Sequence, residues 1–167
     1  IAQDVDRAVT LIGGEVRSVR ASPGCILNRE VADAVLCERA VAAGAHLMAR
    51  TAVTSVREDP RGGPGPVRLA METRWPRGDG GRVTARAVIG ADGPRSVVGA
   101  AMGATNDRFV VGRQVTVDLR EPGREIECHL RPDCRGGYAW LFPKGDVANV
   151  GVGVDTAIGG DARGALE

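Results

Sequence analysis

Residues 87–103, AVIGADGPRSVVGAAMG, run three apolar residues straight into two glycines flanking an acid, then resume with a helical pattern. Ala87, Val88 and Ile89, apolar on successive residues, read as a strand covered on both faces, as in a parallel sheet between helices. A plain strand-to-helix turn needs one glycine. Here Gly90 and Gly93 both permit positive φ or close approach of another group to the backbone. The carboxyl edge of such a sheet is where α/β proteins bind ligands, and the following helix, capped by Ser96, offers free N–H groups. On these residues alone two readings stay open: a ligand-binding loop, or a tight turn in which Asp92 caps the helix.

The flanking segments set that loop in context. At 167 residues the chain has room for one domain or parts of two. Segment 28–48, NREVADAVLCERAVAAGAHLM, places Asn28 as an N-cap, Val31, Val35, Leu36 and Val41 on one helical face, and Gly44 at the end. From His46 the period changes, and 46–59, 67–75 and 82–89 read as three strands of a meander. Their connections, PRGGPGP and PRGDGG, read as hairpin loops and not phosphate cradles, since no helix follows either. After a helix at Ser96 to Met102 come four strands of an antiparallel sheet: FVVGRQVTVDL, EIECHL, GYAWLFP and VANVGVGV. Residues 1–27 read as two short strands followed by a turn at SPGC, and the tail GGDARGALE begins a helix.

Several function classes are disfavoured. A net charge of +1, well mixed, gives no electrostatic case for nucleic acid or an anionic membrane surface. Cys25, Cys37, Cys128 and Cys134 form no C-x-x-C pair, so metal-ligand spacing is absent and reduced thiols of a cytoplasmic protein are expected. His46 and His129 are expected to stand alone, without an acidic or cysteine partner nearby, and no catalytic acid or base is assigned. No apolar run is long enough to span a bilayer, and no signal peptide is recognisable. The opening Ile1-Ala2-Gln3 starts in mid-pattern, so the chain reads as a fragment.

IGADGPRSVV resembles the G-A-D-G-x-x-S-x-V motif of flavoprotein monooxygenases and reductases that share the para-hydroxybenzoate hydroxylase fold. The resemblance implies that Asp92 and Gly93, with Gly90 and Ser96, lie by the pyrophosphate and ribose of FAD. Segment 28–48 resembles that family's R-x-x-F-D segment. Arg29 and Asp33 match, Ala32 stands where an aromatic is usual, and the match implies a cofactor role for Arg29 beside the alternative of a solvated first-turn residue.

A second signature is RGGYAWLFPKGDVANVGVGV. Tyr138, Trp140 and Phe142 alternate along one strand and so share a face, and they are three of the chain's five aromatics (two Trp, one Tyr, two Phe). Taken alone, an aromatic patch filling a core is the competing reading. The string resembles the Y-x-W-x-F-P-K-G-D pattern of the geranylgeranyl reductase family, which implies that Tyr138, Trp140, Phe142 and Pro143 line a substrate cavity. Arg135 stands where a proline is usual, and this leaves the end shape of that cavity open. GGDARG, with Asp161, is set aside as a decoy of the family's later flavin motif.

The resemblance implies an α/β (α+β) fold: a partial FAD/NAD(P)-binding Rossmann-like domain with a three-stranded meander, 28–103, and a mainly antiparallel substrate-binding domain, 1–27 with 104–167. It further implies an FAD-dependent oxidoreductase reducing C=C bonds of a polyprenyl lipid, with NAD(P)H or another donor reducing the flavin. Peripheral membrane contact in the parent protein is compatible with that substrate. The G-x-G-x-x-G that such a fold uses for the ADP half of FAD is missing from these residues and is expected upstream. The 167 residues alone are therefore expected neither to hold FAD nor to catalyse reduction. The alternatives are an aromatic hydroxylase, monooxygenase or halogenase of the same fold, and a flavin-less lipid-binding domain.

Overall fold

The computed structural model describes residues 2–59, 69–74, 80–121 and 123–167. They form two compact units, one of residues up to 43 with 108–167 and one of 44–107. In the first, a hairpin of β1 (Gln3–Ile12) and β2 (Glu15–Ile26) turns at Gly13 and Gly14, both with positive φ, as a two-residue turn between twisted strands requires. The expected turn at Ser22–Cys25 is instead part of β2. Pro23 is tolerated there because β2 is a sheet edge, and the register slips between Val5 and Arg7, leaving one extra residue on β2.

After α1 (Arg29–Ala42), the first unit continues with β6 (Val110–Asp118), β7 (Glu125–Leu130), β8 (Tyr138–Lys144) and β9 (Val147–Asp155). All four strands expected after the short helix are present. The sheet order is β2-β1-β7-β8-β9-β6. Neighbours are antiparallel except β1 and β7, which run parallel with Thr10 opposite Cys128. Gln3 ties the hairpin to the β8–β9 turn, its Oε1 accepting from the Gly145 N–H at 2.5 Å.

One face of this sheet is covered. Val152 and Val154 of β9 are wholly buried, packed with Cys134, Ala162 and Ala165 and against Ala139 and Leu166. The tail that covers them is not the regular helix expected. It is a single 3₁₀ turn, Thr156–Ile158, followed by further turns, with Asp161 accepting the Arg163 N–H. Asp155 is buried at the end of β9, caps the 3₁₀ turn through the Ala157 N–H and accepts from Arg108 at 2.7 Å. The Arg108 guanidinium and then the Ala157 N–H hold its carboxyl below the ordinary range.

Helix α1 confirms the expected element, with Gly44 at φ +98° just past its end. Asn28 occupies the N-cap position but its side chain makes no capping bond, and no residue of the helix is buried. The expected apolar stripe of Val31, Val35, Leu36 and Val41 is therefore exposed.

The second unit holds the three-stranded antiparallel meander β3 (Ala52–Glu58), β4 (Leu69–Arg74) and β5 (Arg82–Ala85), with α2 (Val97–Ala101) packed by β3. The loop 60–66 and residues 75–79 of the second connection lie outside the described residues. Two expectations are corrected. The first strand begins at Ala52 and not His46, because a turn with Arg50 at φ 55° breaks the extended run. Ala87–Ile89 is not a covered strand: β5 ends at Ala85, and Ile89 is 90% exposed. A strand needs a neighbour for its N–H and C=O groups, and among the described residues the meander stops at β5.

Candidate functional site

In the second unit, Gly90, Asp92, Gly93 and Ser96 form one continuous turn into α2. A Cβ at Gly90 would lie 2.9 Å from Val98 Cβ and 3.3 Å from Ser96 Oγ, so the loop packs directly onto the helix start. Gly93 has φ +84° with open space where its side chain would be, which makes its backbone accessible. Both glycines are thus required, for different reasons.

Asp92 closes the turn. Its Oδ2 accepts the Val97 N–H at 2.6 Å, and the Ser96 hydroxyl donates to its Oδ1. Ser96 Oγ in turn accepts the Gly99 N–H at 2.8 Å. The Ser96 hydroxyl foremost, opposed by desolvation and helped by the Val97 N–H, holds the Asp92 carboxyl below its ordinary pKa. The helix N–H groups expected for an anion are therefore already engaged by Asp92 and Ser96, and α2 is only five residues long. Yet the carboxylate is exposed, and a carboxylate has about four lone-pair sites, so acceptor capacity remains.

Arg29 stands at the first position of α1 in the other unit. Its fork is held by Asp33, with Nε to Oδ1 at 3.0 Å and Nη2 to Oδ2 at 2.9 Å, and both side chains are exposed. The pair raises the arginine pKa and lowers that of Asp33.

The aromatic residues of β8 lie together on one face, as the alternation requires. Tyr138 meets Trp140 edge-on with centroids 5.9 Å apart, and Trp140 stacks with Phe142 at 6.1 Å. Pro143 is corrected: it falls on the opposite face with Ala139 and Leu141 and is fully buried, so it cannot line the same surface. The single expected cavity wall is a row of three aromatics.

What sequence reasoning missed is the surface beneath them. Trp140 pairs with Gly151 of β9, which pairs in turn with Gln114 of β6. A Cβ at Gly151 would lie 2.3 Å from Trp140 Cζ2, while those at Gly153 and Gly112 would lie 3.6 Å and 3.8 Å from its ring. The indole therefore lies flat across β9 towards β6, and its Nε1–H donates to Gln114 Oε1 at 3.3 Å, the long end of the range. The alternation NVGVGV was the available signal, with valines for the covered face and glycines for the aromatic one.

On the same row Cys128 pairs with Trp140, and burial pushes its thiol pKa up. The expectation that His129 stands alone is corrected: on the neighbouring register it meets Glu127, two residues back on the same face, Nε2 to Oε2 2.8 Å, away from the aromatics. Among the described residues no cluster of His, Cys, Asp or Glu could hold a metal ion. No helix among them is long and apolar enough to cross a membrane.

Residues 7–138 match a family described as FAD binding domain. The chain is 34% identical over 138 residues to digeranylgeranylglycerophospholipid reductase 2 of Methanosphaera stadtmanae, covering 78% of this chain and 33% of that protein. It is 34% identical over 164 residues to digeranylgeranylglycerophospholipid reductase of Methanospirillum hungatei, covering 88% and 36%. A solved structure, the geranylgeranyl bacteriochlorophyll reductase-like protein of Thermoplasma acidophilum, shares the fold with a TM-score of 0.80. Identity to it is 24%, over 99% of this chain and 44% of that one. The chain thus spans about one third of the length of the curated relatives it matches.

These matches define the class: the chain belongs to the FAD binding domain family of flavoproteins. Within that class 90–98 matches the wider flavoprotein motif and 138–146 the geranylgeranyl reductase pattern, and its relatives are named as digeranylgeranylglycerophospholipid reductases.

Proposed function

We propose that the full-length protein is an FAD-dependent reductase that saturates C=C bonds in a polyprenyl chain of a lipid. One observation carries this reading: three aligned aromatic side chains on a strand whose neighbour presents glycines, giving a flat apolar shelf. Such a surface gains by burying hydrocarbon, at roughly 25 cal/mol per Å², and it suits a long unsaturated chain without polar handles. The names of the relatives, reductases of digeranylgeranylglycerophospholipids, support the same substrate class.

In this reading 28–103 is the remainder of the FAD-binding domain, and 1–27 with 104–167 is the substrate-binding domain. The loop at 90–96 suits the hydroxyl-bearing part of FAD. An ionised Asp92 repels a pyrophosphate but accepts from ribose or ribityl hydroxyls, and Gly93 leaves the backbone open for close approach. Arg29 is the second candidate. A cation at the first position of a helix opposes the macrodipole, and an arginine preceding its acid by four residues is the weaker order of ion pair. Helix stability is then a weak reason for Arg29, and an anionic cofactor would give it a stronger one.

Each C=C bond takes up a hydride and a proton, the hydride being what a reduced flavin supplies. The chain's own residues bind and orient: Tyr138, Trp140 and Phe142 hold the hydrocarbon, and Gly90, Asp92, Gly93 and Ser96 hold the cofactor. NAD(P)H or another donor reduces the flavin. The protein works in the cytoplasm, in peripheral contact with the membrane that stores its substrate.

The test is direct. Full-length protein is purified with its flavin, reduced with dithionite under argon, and mixed with a geranylgeranyl glycerophospholipid. The reading predicts that the oxidised flavin spectrum returns without oxygen. A spectrum that stays bleached, or a preparation that binds no flavin, refutes it.

A further inference from the structure

We propose that Gln114 is a positioning residue: it fixes the pose of Trp140 on its glycine floor and so sets which double bonds of the polyprenyl chain are presented for reduction. This deepens the functional reading above and rests on it for the substrate.

Gln114 lies outside both signature segments, on the edge strand β6, two strands away from Trp140. They meet only because the strand between them contributes Gly151 at that register. Any side chain at 151 would occupy the space of the indole, since its Cβ alone would fall 2.3 Å from Cζ2. The glycine thus permits the flat pose without enforcing it. An indole has one N–H donor, and its partner here is Gln114 Oε1. The two direct neighbours of Trp140 in that row, Gly151 and Cys128, supply no strong side-chain acceptor. On the next register Thr116 donates to Asn149 at 3.1 Å, so that pair is already engaged.

The consequence concerns where the chain sits. Trp140 is the middle of the aromatic row, edge-on to Tyr138 and stacked with Phe142, so rotating it changes both contacts and the level of the shelf. The repeating double bonds of a polyprenyl chain are chemically alike, and only their placement distinguishes them. A displacement of ~1 Å can cost about 100-fold in rate at a given bond. A ring held by one hydrogen bond across a glycine is therefore a lever on selectivity between bonds, more than on binding as such.

The experiment uses full-length protein labelled with 5-fluorotryptophan, the Trp140 resonance being assigned by its loss in Trp140→Phe. Gln114→Leu removes the acceptor at similar size. Gln114→Glu keeps an acceptor and is the rescue. Gly151→Ala displaces the ring by an independent route. Products from a geranylgeranyl glycerophospholipid are read as the ratio of partly to fully reduced chains. The proposal predicts that Gln114→Leu and Gly151→Ala move the fluorine resonance and shift that ratio by roughly tenfold, while Gln114→Glu retains both parental values. An unmoved resonance in Gln114→Leu overturns the proposal, and so does a moved resonance with an unchanged product ratio. A wild-type protein that reduces no such lipid overturns the functional reading and this selectivity with it. The fluorine signal in Gln114→Leu still decides separately whether Gln114 sets the pose.

Discussion

The Asp92 carboxylate closes its turn and, in the proposed function, also accepts from a cofactor hydroxyl. The Ser96 hydroxyl and Val97 N–H use it to close a strand-to-helix turn, and its exposed lone pairs are left for a ligand. The two readings open on the sequence are thus not exclusive: the capping role is seen, and it keeps the group ionised for the proposed one. Its folded pKa lies below the ordinary 3.8. The stabilisation it gives is then fully present above 3.8 and is lost only as pH falls through the lower, folded value. In a carboxyl carbon NMR titration, Asp92 is expected to titrate below 3.8, and Ser96→Ala should move it back up. A midpoint at or above 3.8 that Ser96→Ala leaves unchanged contradicts the hydrogen-bond account. Asp92→Ala in the full-length protein should also lower the flavin-to-protein ratio, which absorbance reads.

At the scale of the strand pair β8 and β9, the same residues build two unlike faces. Val152 is wholly buried on the covered face, whereas Trp140 lies on the other, across Gly151. The two faces should respond differently to truncation. Val152→Ala should cost about 2–3 kcal/mol of stability, as buried methyl deletions do, and leave the product ratio alone. Trp140→Ala should change the product ratio with a smaller loss of melting temperature. Trp140 as core would reverse that ranking, so melting measured beside product analysis separates the cases. This strand pair was also the most legible part of the sequence, because alternation is local: aromatics against apolar residues in YAWLFP, valines against glycines in NVGVGV. Where alternation was not the signal, reading failed. SPGC read as a turn because Pro and Gly usually make one, but an edge strand with a bulge absorbs them.

At the scale of the whole molecule, what stayed hidden was pairing between distant segments. β1 meets β7 in parallel across more than a hundred residues, and nothing in either segment announces the other. Gln114 likewise acquires a role only when β9 brings it beside Trp140. Ala87–Ile89 shows the converse: an apolar run reads as a covered strand, but with no neighbouring strand among the described residues the segment is left irregular. The loop proposed for the cofactor was legible because a backbone motif is local, and the aromatic row proposed for the substrate was half legible because its glycine floor is not.

By our proposal, the flavin chemistry served by this chain ends in saturation of a polyprenyl chain. Mass spectrometry of the lipid product from reduced full-length protein, with and without oxygen, tests it most directly. The prediction is a gain of two hydrogens per reduced double bond, equal in both atmospheres and with no oxygen incorporated. A product that forms only in air and carries an added oxygen atom would contradict the claim and identify a monooxygenase of the same fold.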